Sequence, residues 1–205
     1  MYSIVTIERQ YASGGRQVGE WLAKRWGVPL YDRVILEETA ANLSADPERV
    51  AKIEESGTNS LLYSMLMAGQ ILDPTQVPLS PGERVFQESS RIIQAAANKG
   101  PCVIVGRAAG YVLRDRRNCL RVFLYASRED RLRRAMDEYG LSRQEALDTM
   151  RRFDRKRAEY YRSVADHDWD DRNAYALFLN TSELGIEGCV NAIDAICGFT
   201  KVQNP

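Results

Sequence analysis

Histidine is almost missing from this chain: His167 is the only one among 205 residues. The four cysteines, Cys102, Cys119, Cys189 and Cys197, are scattered and form no C-x-x-C pair. A zinc site or a disulfide framework is therefore not expected. Neither sign of charge is in excess, with 28 basic and 28 acidic residues. A nucleic-acid polymer as partner usually calls for a basic domain, so balanced charge argues against one. No apolar run approaches the roughly 18 residues that span a bilayer, and the first residues read as a strand instead of a basic segment with an apolar core. The expectation is a soluble, cytoplasmic protein with no membrane partner. Its length suits a single domain over 1–205 that carries an insert, large enough to bury a substantial core.

What is present begins with a turn. The apolar run Ile4-Val5-Thr6-Ile7 is followed by Gln10-Tyr11-Ala12-Ser13-Gly14-Gly15-Arg16-Gln17, and then by a helix-patterned stretch with Val18, Leu22 and Trp26 at four-residue spacing. A strand that turns through paired glycines into a helix leaves backbone N–H groups converging, and the helix N-terminus adds partial positive charge. Such a point favours an anion, although a tight turn with an exposed arginine has the same pattern. The P-loop pattern asks for glycine, four residues, Gly-Lys and Ser or Thr. Here Gly15-Arg16 supplies the Gly-basic step, while Gln10 replaces the first glycine and Gln17 the hydroxyl residue.

Further apolar runs read as strands at 28–32, 102–105, 120–125 and 175–179, with helical patterns between them. That alternation predicts an α/β fold with a doubly wound parallel sheet. Segment 44–83 changes character: Asp46-Pro47 starts a short helix, 57–60 breaks it, 61–72 is apolar and Met-rich, and Pro74, Pro78, Pro81 and Gly82 punctuate a loop. We read 37–90 as a helical insert and the Met-rich stretch as packing, core or a homodimer contact.

Ligands of such sheets bind outside the carboxyl ends of the strands. Four candidate groups fall there: Ser13 to Arg16, Asp32, Gly106-Arg107 and Asn180-Thr181. The planar fork of Arg107 suits a phosphate bidentately, or a carboxylate at the core edge. Asp32 can accept from a sugar or base donor, or cap the helix that follows. The stretch Arg151-Arg152-Phe153-Asp154-Arg155-Lys156-Arg157 is the densest in basic residues. On a helix it either concentrates positive charge for a transferring phosphoryl group or forms a solvated face laced with ion pairs, with Asp154 able to hold an arginine in place. His167 has no companion residues and is read as incidental.

Together these segments resemble the cytidylate kinase-like family within the P-loop nucleoside monophosphate kinases. The resemblance covers nearly the whole chain and rests on Ile7-Glu8-Arg9-Gln10-Tyr11-Ala12-Ser13-Gly14-Gly15-Arg16, Pro29-Leu30-Tyr31-Asp32, Gly100 to Arg107, Leu120 to Leu124 and Leu179-Asn180-Thr181-Ser182. It implies a sheet of the P-loop nucleotide kinase type, with an acceptor-side insert at 37–90 and an arginine-rich lid at 140–172. It further implies that Ser13, Gly14, Gly15, Arg16 and Gln17 grip ATP phosphates and that Asn180-Thr181 packs the adenine. Arg107 and Asp32 would meet the acceptor, and Arg151, Arg152, Arg155 and Arg157 would close over the phosphates. Arg16, Arg107, Arg151 and Arg155 would carry the catalytic charge.

Two departures stand out. Without a hydroxyl at Gln17, Ser13 or water would have to hold Mg²⁺. Ala108 stands where cytidylate kinases proper have an aspartate that helps to bind and orient the acceptor. The expected activity is ATP- and Mg²⁺-dependent phosphoryl transfer to a nucleoside monophosphate, CMP or dCMP first. The alternatives are a nucleotide-binding sensor or pseudokinase without turnover, and a kinase of a small non-nucleotide acceptor.

Overall fold

The computed structural model describes residues 1–56 and 79–198. Five strands, β1 (Ile4–Arg9), β2 (Leu30–Tyr31), β3 (Cys102–Val105), β4 (Cys119–Tyr125) and β5 (Leu177–Asn180), form one sheet in the order β2-β3-β1-β4-β5. Every adjacent pair is parallel. The doubly wound sheet read from the alternation of elements is therefore present. β1 lies at its centre, and the chain leaves it first towards β2 and later towards β4, so the ligand crevice of such a sheet opens above the end of β1.

Burial on both faces explains the unbroken apolar runs. Val5 and Ile7 point to one face, where they meet α1 (Gly15–Trp26) and α8 (Thr181–Cys197) through Val18, Leu22, Val190 and Ile193. Ile4 points to the other, against Ile35 of α2 (Arg33–Asn42), Ile92 and Ile93 of α4 (Pro81–Lys99), and Leu113 beyond α5 (Ala109–Val112). A third cluster gathers Phe123 of β4 with Tyr161, Trp169 and Tyr175. The helix α3 (Pro47–Ser56) packs on α2 and α4 through Val50. The short α6 (Arg128–Tyr139) and the long α7 (Arg143–Val164) pack together through Leu132, Ala135, Ala146 and Met150. No described helix is long and apolar enough to cross a membrane.

Boundaries differ from the sequence reading where caps and prolines intervene. Pro29 has no N–H for a ladder and Asp32 already turns into α2, which shortens β2 to two residues. Ser80 and Glu83 form a capping box with Pro81 at the start, so α4 begins before Glu83. A 3₁₀ turn at Arg172–Ala174 delays β5 to Leu177. Of the predicted insert, 37–56 and 79–90 are described and largely helical. The break at 57–60, the Met-rich stretch 61–72, Pro74 and Pro78 lie outside the described residues.

Candidate functional site

The loop between β1 and α1 owes its form to five consecutive carbonyls. The Arg9 carbonyl accepts from Arg157 Nη1 at 2.8 Å, that of Tyr11 from Arg131 Nε at 2.7 Å, and that of Ala12 from Arg134 Nη1 at 2.8 Å. Gln10 accepts from the Ser13 amide and hydroxyl, and Ser13 from the Thr181 hydroxyl at 2.8 Å. These carbonyls are tied to the protein, and so are the amides of Gln10, Tyr11 and Ser13, which leaves the turn into α1 as the source of donors. Ala12 and Gly14 adopt left-handed backbone, φ 57° and 78°, which makes the sharp turn. The first helical bond of α1 runs from Val18 N–H to the Gly14 carbonyl, and no side chain caps the amides of Gly15, Arg16 and Gln17 ahead of it. No acid stands in this first turn. The result is a concavity of backbone donors at a helix N-terminus, opening on a cavity of about 370 Å³ whose wall also carries the carboxylates of Glu20, Asp32 and Glu138. The unpaired amides at the helix start favour an anion.

A second cavity of about 170 Å³ adjoins it, lined by Asp32, Glu54, Arg107, Phe153, Lys156 and Tyr160 among others. Gly106, Arg107 and Ala108 all have positive φ, 79°, 59° and 52°, an unfavourable run that sets the arginine at the sheet mouth. Arg107 Nη1 donates to both carboxylate oxygens of Glu54 on α3. Its Nε and the Tyr160 hydroxyl are buried and have no hydrogen-bond partner among the described residues. Arg9, Asp32 and Arg157 line both cavities. Burial first, then the charge of Arg9, push the Arg157 guanidinium from 12.5 down to about 9. It still carries its proton near neutral pH, so an anion arriving at the junction relieves an unfavourable concentration of positive charge.

The predicted residues divide between these cavities and the surrounding frame. Gly14, Gly15 and Gln17 line the first cavity. Arg16 lines it too, but its side chain is 68% exposed and its Nε donates to Glu20 at 2.8 Å. Ser13 is fully buried and its hydroxyl donates to the Gln10 carbonyl at 2.9 Å, turned into the protein. Asp32 sits at the N-cap position without a capping bond, 3.9 Å from Arg9 and 3.8 Å from Arg16. Thr181 is buried and braces the loop, while the Asn180 side chain caps α8 through the Ser182 amide.

Of the basic stretch, Lys156 and Arg157 face the cavities. Arg151 and Arg155 are exposed beside Asp148 and Glu159, and Arg152 lies over the Phe153 ring. The structure thus brings Arg157 to the site but not Arg151, Arg152 or Arg155. Asp154 does hold an arginine: it pairs with Arg131 and accepts from the Tyr11 amide at 2.7 Å. Sequence reasoning missed the roles of Arg9, Glu54, Arg131 and Arg134. Arg9 ends β1 just as Asp32 follows β2, so the strand-end rule could have found it; the other three meet the site only through tertiary contacts.

Glu8 lies one residue before Arg9, buried opposite Phe123 in the β1–β4 register. One oxygen accepts from Trp169 Nε1 at 3.3 Å and the other has no hydrogen-bond partner among the described residues. Burial pushes its carboxyl above the usual 4.5, against the pull of Arg9, Trp169 and Arg157. Between 4.5 and the raised value the folded chain binds the proton more tightly than the unfolded one, so this contribution to stability is full at low pH and is lost as pH rises. Glu8→Gln is expected to match or exceed the wild type in thermal unfolding near neutral pH, with the gap closing towards pH 4.5. A variant that loses stability specifically at neutral pH would show that attraction to the arginines outweighs burial.

The sheet order and the anion cradle after β1 define the class: an α/β fold of the P-loop kinase type. The model of the cytidylate kinase-like family matches residues 4–183, and the chain belongs to that family. A crystal structure of an uncharacterized protein from Eubacterium ventriosum is similar over 95% of this chain and 98% of that one, at 21% identity and a TM-score of 0.70. Shikimate kinase from Bacteroides thetaiotaomicron covers the same shares at 14% identity and a TM-score of 0.53. A sugar kinase from Janibacter is similar over 98% of this chain and 96% of that one, at 12% identity and a TM-score of 0.53. No curated protein sequence matches the chain. Family and fold are those of phosphotransferases.

Proposed function

We propose that the protein transfers the γ-phosphoryl group of ATP to a nucleoside monophosphate, with CMP or dCMP the first acceptors to try. The observation that carries this reading is the meeting of a cradle of backbone amides and an arginine-lined cavity at the shared residues Arg9, Asp32 and Arg157. The cradle from Ser13 to Gln17 would take the donor phosphates, with adenine towards Asn180-Thr181, and Arg107 would take the acceptor phosphate once Glu54 yields it. An acceptor phosphate oxygen bonds to the γ-phosphorus as the bond to the β–γ bridging oxygen breaks, and ADP leaves. A phosphate acceptor already carries negative charge, so no histidine base is needed, and positioning with electrostatics suffices. Arg157 and Lys156 would supply the lid charge nearest the transfer, with Arg151, Arg152 and Arg155 on its solvent side.

Among the described residues no cluster of acids or thiols forms a metal cage. Mg²⁺ in such sites keeps several waters and takes one or two carboxylates plus substrate phosphates, so Asp32, the one carboxylate among the described residues that lines both cavities, fits. The ion would neutralise phosphate charge. Asp32 also supports a second reading, because a small acceptor with a hydroxyl nucleophile would need a carboxylate base there.

A steady-state assay with ATP and Mg²⁺ against a panel of monophosphates and small hydroxyl acceptors is expected to give the highest kcat/KM with CMP or dCMP. Turnover confined to a hydroxyl acceptor would favour the second reading. ATP binding by calorimetry with no turnover on any acceptor would sink the enzyme and leave a nucleotide sensor.

A further inference from the structure

In a P-loop the lysine that follows the last glycine reaches the β- and γ-phosphates. Arg16 holds that place in the sequence, but its geometry serves the duty poorly. It lies two-thirds exposed, its Nε is engaged by Glu20, and it borders only the first cavity.

Arg9 has the opposite character. Its side chain is 19% exposed and passes beneath both glycine turns. A Cβ on Gly15 would stand 2.6 Å from the Arg9 Cβ and Cγ, and a Cβ on Gly106 would collide with Arg9 Nη1. The aliphatic stem thus runs under the donor loop, and the guanidinium emerges at the turn that carries Arg107. Both glycines leave the room that Arg9 occupies. Its backbone carbonyl is held by Arg157, and its Nη2 lies 3.9 Å from Asp32, which Arg16 also approaches, at 3.8 Å. An anion that fills the first cavity and reaches towards the second ends beside this guanidinium, because Arg9 lines both.

We infer that Arg9, not Arg16, is the cation that binds the terminal phosphate of the donor. The inference rests on the reading of the loop as a donor cradle. It assigns the end of the polyphosphate chain to the junction, and it makes the charge at Arg16 dispensable for recognising the third phosphate. The planar fork of Arg9 can bind two oxygens of one phosphate, which a lysine cannot do.

The test compares ATP, ADP and inorganic tripolyphosphate binding by calorimetry in the wild type, Arg9→Gln, Arg9→Lys and Arg16→Gln. Loss of a charged hydrogen-bonding partner typically costs about ten- to hundred-fold in affinity. Arg9→Gln is expected to weaken ATP and tripolyphosphate by about that factor and ADP much less, with Arg9→Lys intermediate. Arg16→Gln is expected to alter ATP and ADP about equally. A larger selective loss of ATP in Arg16→Gln overturns the inference, and because that side chain is exposed the result stands even if Arg9→Gln fails to fold. Equal losses of ATP and ADP in a folded Arg9→Gln overturn it as well. A wild type that binds neither ATP nor tripolyphosphate overturns both this inference and the donor cradle. A wild type that shows the predicted ATP selectivity through Arg9 yet phosphorylates no acceptor supports the inference and sinks only the kinase.

Discussion

Asp154→Ala is expected to lower folding stability by about 3 kcal/mol and to weaken ATP binding in the same variant, although Asp154 lines neither cavity. Its carboxylate pairs with Arg131, which is only 7% exposed, and accepts from the amide of Tyr11. Removing it leaves a buried guanidinium without its counter-ion, the costly way to break such a pair. The functional loss follows from what Arg131 does with its remaining donor, since its Nε holds the Tyr11 carbonyl. Once that arginine drifts, the carbonyl is free to rotate towards the cavity, where it would repel phosphate. Asp154→Asn keeps the acceptor for Tyr11 and loses only charge, so its losses should be smaller in both respects. Urea unfolding and ATP titration check the two halves separately. Full ATP affinity in a destabilised but folded Asp154→Ala would sink the link between the salt bridge and loop orientation.

Phe123→Ala is expected to cost about 3–5 kcal/mol by the same denaturation assay. The side chain is 1% exposed and meets three other rings: Phe178 stacked at 4.5 Å, with Trp169 at 5.1 Å and Tyr175 at 5.2 Å edge-on. These contacts join β4, β5 and the segment after α7, so the cavity cannot close without moving a strand. Trp169 also donates to Glu8, so a loosened shell releases a buried carboxylate next to Arg9. Phe123→Leu, which keeps much of the volume, should cost less than about 1.5 kcal/mol. A loss that small for the alanine variant would show that the aromatic shell collapses freely, and would remove it as a support for the end of β1.

The sheet was legible because its determinants are local and repetitive. Runs such as Cys102-Val103-Ile104-Val105 are apolar on both faces, and helical spacing intervenes between them. The position of the site at the strand ends followed from the same alternation. Individual side chains were less legible. Arg107 was open to either a phosphate or a carboxylate, and Glu54, carried on a helix some fifty positions earlier, now holds it. The basic stretch was open to an active face or a solvated one, and the structure divides it between the cavities and solvent. Lys156 and Arg157 turn inwards while Arg151 and Arg155 face solvent, a division that helical spacing alone did not orient because charge surrounds the whole turn.

By itself the sequence determined the class of fold, the glycine turn after β1 and the membership that its motifs announced, because apolar periodicity and glycine turns act on neighbours a few residues apart. Only the tertiary structure separated the two arginines that flank the loop. Arg9 and Arg16 flank it almost symmetrically in the chain, and their chemistry is identical. What separates them is that Gly15 and Gly106, ninety-one positions apart, both lie against the Arg9 side chain, which a Cβ at either position would meet.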